Sequence, residues 1–231
     1  MFVILTVLFF LASVLTDPQI ISKIEDMGIS ERKEREREAL RERILDAAFE
    51  VVSAGGVDAL TMRGIADRIE YSATALYTHF ADKDALLVAL CHREFLQLAV
   101  QLQRFEPGVD PLEDLTNLGR AYCRFALGNP QAYRLMFLLP GMPSRPMQCS
   151  VDDVEPTDAY GIVVAVVARA RAAGVLREGL GDDELVGQTL WANLHGLLAL
   201  EIIKHDKGIP WRPIADRVEL SLAMMINGIR R

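Results

Sequence analysis

The stretch that decides the fold is ILDAAFEVVSAGGVDALTMRGIADRIEYSATALYTHFADKDALL, residues 44–87. Upstream of its glycine pair, apolar side chains recur three or four positions apart, which predicts a helix from Ser30 to Ala54. Gly55 and Gly56 end this helix, because glycine readily takes the left-handed conformation of a C-cap. The first part of the stretch therefore predicts one long helix with one apolar face.

Two short helices joined by a three-residue turn are predicted next. Thr61 is placed to cap the first, which runs through Ile69, and Ser72 or a neighbour caps the second. Asp82 then caps a longer helix that begins at Lys83. Two short helices packed on a longer preceding helix make a helix-turn-helix.

The second short helix has a face suited to DNA. Leu76 and Phe80, near its end, lie four apart and anchor it to the core. The outward face then carries small or hydrogen-bonding side chains, as a helix in the major groove requires: Ala73, Thr74, Tyr77 and Thr78. Phosphates would be contacted by Tyr77, His79 and Lys83, the last at a helix N-terminus whose amides attract anions.

Residues 37–90 resemble the N-terminal domain of the TetR family of bacterial transcriptional regulators, including the LYxHF signature and the xxKxxLL start of the next helix. The resemblance implies a three-helix DNA-binding domain over residues 37–97, with residues 61–80 as the helix-turn-helix. The DNA-contacting set that it implies is Thr61, Arg63, Ser72, Ala73, Thr74, Ala75, Tyr77, Thr78, His79 and Lys83.

The turn of this motif departs from the family pattern at one position. The family usually has glycine where Glu70 stands. A non-glycine residue with positive φ costs about 1 kcal/mol, so either Glu70 bears that cost or the turn closes differently.

The second half predicts further helices. One begins near Pro111 and stops at the GNP of residues 128–130, since proline does not continue a helix. A short helix carrying Tyr133 follows, and the segment 139–156, rich in proline, glycine and serine, predicts a mobile loop. The remaining helices are expected at about 157–173, 182–204 and 212–229.

The stretches FALGNPQAYRLMF (125–137) and LWANLHGLLALE (190–201) resemble a C-terminal subtype of the TetR family with a Trp-His-Gly pattern, here Trp191, His195 and Gly196. The resemblance implies that residues 98–231 bind a small ligand and form a homodimer through the last two helices. Those helices are apolar on more than one face, which independently favours a partner.

A ligand pocket among these helices would take a small, apolar effector, with ordinary core packing as the alternative for each lining residue. The expected lining is Phe125, Tyr133, Met136, Phe137, Met142, Trp191 and His195.

Composition restricts the possible functions. The chain has 231 residues and a net charge of −7, so its overall charge gives no sign of a polyanionic partner such as DNA. Three cysteines and four histidines have no metal-binding spacing, and no phosphate loop or nucleophile–base pair is evident. We therefore predict no catalytic residue, no metal and no cofactor, with a helical interaction protein lacking DNA affinity as the alternative function.

The N-terminus begins with fifteen uncharged residues, MFVILTVLFFLASVL. They are too few to span a bilayer comfortably, and the basic region of a signal peptide is missing. We expect residues 1–26 to be an extension upstream of a start at Met27, or disordered; a membrane anchor using residues 1–16 and a cleaved signal are the alternatives. Together, the motifs and the resemblance predict an all-α, cytoplasmic, ligand-responsive repressor that binds a palindromic operator as a dimer.

Overall fold

The computed structural model describes residues 18–141, 159–203 and 208–231, and within them the chain is all-α, as predicted. A lone antiparallel bridge joins Leu176 to Arg230. The helices are α1 Pro18–Gly55, α2 Met62–Ile69, α3 Ala73–Tyr77, α4 Lys83–Gln103, α5 Pro111–Gly128, α6 Pro130–Phe137, α7 Ala159–Ala172, α8 Asp183–Ile202 and α9 Ile214–Ile229, with a 3-10 turn at Val57–Ala59.

The helix starts of the N-terminal region follow their capping residues. The side chain of Thr61 accepts a hydrogen bond from the Gly64 amide at 3.0 Å, and that of Asp82 accepts one from the Ala85 amide at 2.7 Å. Ser72 caps α3 in the same way. Each cap satisfies a backbone donor that has no partner within its helix, which confirms the predicted starts.

Two helix limits differ from the prediction. α1 begins at Pro18, twelve residues before the predicted Ser30, so residues 18–26 of the expected extension are helical. The expectation of an extension that ends before a start at Met27 excluded these residues from the predicted helix. α3 ends at Tyr77 instead of near Phe80, whose amide still bonds the Leu76 carbonyl at 3.0 Å.

The buried side chains form two clusters. The first is built from α1 to α4 together with Leu135 of α6, and the second from the C-terminal half of α4, α5 to α9 and the segment at Leu176. α4 runs through both: Leu86 and Leu90 lie in the first cluster, and Leu98 lies in the second. Among the described residues α4 is also the one helix long and apolar enough to cross a membrane, and its place in both cores accounts for that composition.

An ion-pair network ties α4 to α1. Arg93 of α4 contacts the carboxylates of Asp46 at 2.7 Å and Glu42 at 3.4 Å, both on α1. It also contacts Glu94 at 3.1 Å, whose side chain is buried. Burial raises the pKa of Glu94, and the charge of Arg93 opposes that shift. Breaking such a pair would leave a buried charge without compensation, which is strongly destabilising.

Several expectations lie outside the described residues. They are the apolar stretch of residues 1–17 and nearly all of the predicted loop, from residue 142 to residue 156. The domain limits 37–97 and 98–231 remain predictions.

Candidate DNA-binding surface and ligand cavity

α3 is held by two buried side chains and exposes the opposite face. Leu76 and Phe80 are buried in the first core, as predicted. Tyr77 has 54% of its surface exposed, and Thr74 and Thr78 are exposed beside it. The outward face therefore carries an aromatic ring and two hydroxyl groups, with no acidic side chain in α3 itself.

The hydroxyl groups near this face differ in what they already bond. Thr78 donates its hydroxyl hydrogen to the Ala75 carbonyl at 2.6 Å, so that donor is occupied. Ser72 accepts a hydrogen bond from the Ala75 amide, which leaves its own hydroxyl hydrogen available. The Thr74 hydroxyl makes no hydrogen bond to the described part of the chain. Ser72 and Thr74 are therefore the hydroxyls best placed to meet a partner.

The turn between α2 and α3 closes with Glu70 in the left-handed conformation, at φ 61° and ψ 42°. The Tyr71 amide bonds the Ala66 carbonyl at 3.0 Å, and the Glu70 amide bonds the Asp67 carbonyl at 3.4 Å. This is the pattern that normally places glycine at the left-handed position. Glu70 therefore adopts a positive φ, and the turn closes as it does in family members that have glycine at this position.

Arg43 of α1 supports this turn. This role was not predicted from the sequence. Its guanidinium donates to the Ile69 carbonyl at 3.2 Å and lies 5.2 Å from the centre of the Tyr71 ring. The bond satisfies a carbonyl left open at the end of α2. Arg43 and its partners lie 26 to 28 residues apart in the chain, so no local pattern links them.

Two further arginines of α1, Arg37 and Arg41, lie beside the end of α3, here called the recognition helix. The Arg41 guanidinium is 5.6 Å from the centre of the Phe80 ring. Burial lowers the pKa of His79, and the charges of Arg37 and Arg41 lower it further. In the free protein His79 is therefore mostly neutral at neutral pH, and the positive charge here comes from the two arginines.

The ten predicted DNA-contacting residues occupy consecutive elements, and none of their side chains is fully buried. Thr61 and Arg63 lie at the start of α2, and Lys83 is the first residue of α4. The others are on α3 or adjoin it. Their contact with DNA remains a prediction.

A cavity of about 570 Å³ lies in the second core, within the range of small-molecule sites. Its walls are aliphatic and aromatic, and no charged side chain is among its lining residues in the described part of the chain. α4 contributes Phe95, Leu98 and Leu102 to its wall. The polar groups in the lining belong to Tyr122, Tyr160, Gln188 and Trp191.

Of the seven residues predicted to line a pocket, Phe137 and Trp191 line this cavity. Tyr133 and His195 contact those two rings and lie outside the lining. Met142 is outside the described residues. Phe125 and Met136 pack in the second core and are not in the lining. The contribution of α4 was missed, because its apolar pattern is that of any core helix.

A hydrogen-bonded cluster lies next to the cavity. The Tyr133 hydroxyl is 2.7 Å from Nδ1 of His195 and 3.1 Å from the carbonyl oxygen of the same residue. The Trp191 indole donates to the Tyr122 hydroxyl at 3.2 Å, and that hydroxyl is 3.4 Å from the same histidine nitrogen. Burial lowers the pKa of His195 and raises that of Tyr122 to about 12, so both groups are neutral at neutral pH.

The described residues contain no group of three or more acidic, histidine or cysteine side chains that could hold a metal ion. Burial raises the pKa of Cys91 to about 11 and that of Cys123 to about 12, so both thiols are protonated at neutral pH. Neither thiol is therefore a nucleophile at neutral pH.

The sequence matches two family models. Residues 44–90 match the bacterial regulatory proteins of the tetR family, and residues 115–225 match the tetracyclin repressor-like C-terminal domain. The second match does not address the Trp-His-Gly subtype, which remains a prediction.

Two relatives are HTH-type transcriptional repressors named KstR. That of Mycobacterium tuberculosis is 29% identical over 212 residues, which is 91% of this chain and 91% of the relative. That of Rhodococcus jostii is 37% identical over 89 residues, or 38% of this chain and 39% of the relative.

Solved structures share the fold. A Rhodococcus protein of unknown function has a TM-score of 0.66 and 28% identity, covering 83% of this chain and 96% of its own. A putative tetR family transcription regulator from Shewanella has a TM-score of 0.63 and 19% identity, covering 83% of this chain and 98% of its own. The second likeness concerns the fold alone.

Proposed function

The chain belongs to the TetR family of bacterial regulatory proteins, as a DNA-binding transcriptional regulator, and we propose that it represses transcription from a palindromic operator until a small apolar molecule enters its cavity. The observation that carries the proposal is the pair of sites on one long helix. α4 begins beside the recognition helix and ends in the cavity wall.

Direct readout of DNA would come from the outward face of α3. Tyr77 and Thr74 are exposed there, and the buried Leu76 holds the helix to its domain. A helix with this face fits the major groove, where hydrogen bonds to base edges give specificity. Lys83 and Arg63 at neighbouring helix starts would contact phosphates and set the register.

The dimer would form through α8 and α9. Large apolar side chains stay exposed on both helices, among them Leu200 with 59%, Leu220 with 62% and Met224 with 66% of their surfaces accessible. Leu220, Met224 and Gly228 lie four apart, on one face of α9. A second copy of the chain would cover this face and place two recognition helices on a palindrome.

The effector would be neutral and largely apolar. Burying a charge in a cavity without a charged partner costs far more than burying an apolar group. Gln188 would offer a hydrogen bond to a polar group of the ligand, whereas the Tyr122 hydroxyl is already engaged by Trp191 and His195. Occupancy would favour a conformation in which the two DNA-binding domains are wrongly spaced, and the ligand's preference for that conformation would release DNA.

α4 and α6 provide the physical connection. Phe95 lines the cavity one residue after the Arg93–Glu94 pair that binds α1. On α6, Leu135 is buried in the first core, and Phe137 lines the cavity two residues later. A ligand that displaces Phe95 or Phe137 therefore pushes on elements of the DNA-binding domain.

A gel-shift assay with the DNA upstream of the protein's own gene tests the proposal. We expect a complex of two chains per duplex at modest salt. Tyr77→Ala should weaken binding to every sequence about tenfold, and Thr74→Val should alter base preference. Thr116→Val is the matched control, since Thr116 is a half-buried threonine of α5, outside the recognition face and the proposed dimer helices. Absence of any complex with the wild-type protein would contradict the proposal.

The alternative of a helical interaction protein without DNA affinity is not favoured, because both family models belong to regulators. The same matches point to a regulator and not to an enzyme. We propose a cytoplasmic location, because a regulator of this kind needs access to chromosomal DNA.

A further inference from the structure

Between Glu31 and Glu42, α1 carries a basic stripe and an acidic stripe side by side, while Arg32, Arg35 and Glu36 lie on its remaining faces. Lys33, Arg37 and Arg41 are spaced four apart and form one stripe, here called the basic stripe. Side chains of opposite sign form a second stripe about a quarter-turn away, here called the acidic stripe: Glu31, Glu34, Glu38 and Glu42.

Two tertiary contacts fix which way each stripe faces. At the end of the acidic stripe, Glu42 contacts Arg93 of α4 at 3.4 Å. At the end of the basic stripe, Arg41 packs over the Phe80 ring at the end of the recognition helix. Arg37, one turn earlier, is close enough to lower the pKa of His79. The basic stripe therefore continues away from the recognition helix, on its side of α1.

We propose that the basic stripe binds the phosphate backbone of the DNA that flanks each half-site of the operator. This inference rests on the proposed function, which supplies the DNA. Lys33 is eight residues before Arg41, so the stripe extends about 12 Å along the helix, or roughly 3 to 4 base pairs of DNA. The recognition helix would read the half-site, and α1 would grip the duplex just outside it.

The present partners of the stripe are weak enough to be exchanged for phosphates. Arg37 lies 3.8 Å from Glu34, and Arg41 lies 3.6 Å from Glu38 and 3.4 Å from Glu42, with 63% and 35% of the two arginine side chains exposed. Exposed pairs of this spacing contribute a few tenths of a kcal/mol. A phosphate contact adds the entropy of counterion release, which these intrahelical pairs do not provide.

The test uses two duplexes that carry the same palindrome, selected from random DNA by the wild-type protein. The short duplex ends at the outer edges of the half-sites, and the long duplex continues for about 6 base pairs on each side, beyond the reach of the stripe. The full-length variant Lys33→Gln/Arg37→Gln removes two charges of the stripe. Arg32→Gln/Arg35→Gln is the matched control, because it removes the same charge from other faces of the same turns.

On the long duplex we expect the stripe variant to lose about tenfold in affinity at about 100 mM salt, with a salt dependence shallower by about two to four ions per dimer. The control variant should stay within about twofold of the wild type, and on the short duplex all three proteins should bind alike.

Equal losses in both variants would show a diffuse charge effect and would overturn the inference. Unchanged binding of the stripe variant to the long duplex would also overturn it, while leaving the proposed function intact. Failure of the wild-type protein to select any duplex would overturn the proposed function, and the inference with it.

Discussion

Glu70 shows at the scale of one residue how a departure from a family pattern is accommodated. Its left-handed conformation is one in which the Cβ atom is crowded, so glycine would be favoured there. The Arg43 guanidinium holds the Ile69 carbonyl just before the turn, and the Tyr71 ring just after it. These contacts keep the turn closed although its central residue disfavours that conformation.

The first prediction concerns this position. Glu70→Gly should raise the free energy of unfolding by about 0.5–1 kcal/mol, because the strain of the Cβ atom is removed. Glu70→Ala keeps that atom and should remain within about 0.3 kcal/mol of the wild type. Urea denaturation of the three proteins measures the difference. Equal stabilisation by alanine would mean that the carboxylate, and not the backbone, is the source of strain.

At the scale of elements, the polar cluster beside the cavity joins three helices. Tyr122 belongs to α5, Tyr133 to α6, and both Trp191 and His195 to α8. Three of the four residues, Tyr133, Trp191 and His195, were expected to line a ligand pocket. The spacing of Trp191 and His195 indicates that they share one helix face. It does not indicate that hydroxyl groups from two other helices lie close to the histidine ring.

The second prediction follows from the titration of His195. Burial lowers its pKa below the ordinary value of 6.5, so the unfolded chain binds the proton more readily than the folded one. The stability that this group contributes is therefore complete above pH 6.5 and is lost as the pH falls through its lowered folded pKa.

His195→Asn removes the titrating group and keeps a polar atom near the position of Nδ1. We expect the variant to be less stable at pH 7.5 by about 1–2 kcal/mol, because ring contacts are lost, and to lose less stability on acidification to pH 5.5. Urea denaturation at about pH 7.5, 6.5 and 5.5 provides the comparison. An identical loss on acidification in both proteins would rule out His195 as the source.

At the scale of the whole molecule, two cores share two helices. α4 and α6 each place residues in the first core and residues at the cavity. A ligand that occupies the cavity would therefore displace side chains of α4 and α6 and so strain the DNA-binding domain, since packed interiors transmit strain.

The third prediction fills the cavity. Ala159→Trp, at the start of α7, puts an indole where the cavity is lined by a methyl group. The variant should bind the neutral dye Nile red at least fivefold more weakly, because the added ring occupies ligand volume. Ala165→Trp is the control, since Ala165 is exposed on the same helix and does not line the cavity. Titration of dye fluorescence measures both, and equal affinity in Ala159→Trp would place the dye elsewhere.

The sequence by itself determined the order of the helices, most of their limits, the caps of α2 to α4 and the outward face of α3. Thr61, Ser72 and Asp82 cap their helices through bonds to residues three positions ahead, and the burial of Leu76 and Phe80 follows from helical periodicity. Such signals are local, so a pattern in one stretch is enough to detect them.

Only the tertiary structure decided the rest. It showed that Arg43 supports the turn at Glu70 and that α4 forms part of the cavity wall. It also brought the side chains of Tyr122, Tyr133 and His195 together. It also fixed which side of α1 faces the recognition helix. These contacts join residues tens of positions apart, and their geometry depends on how the helices pack, which the periodicity of each helix alone does not specify.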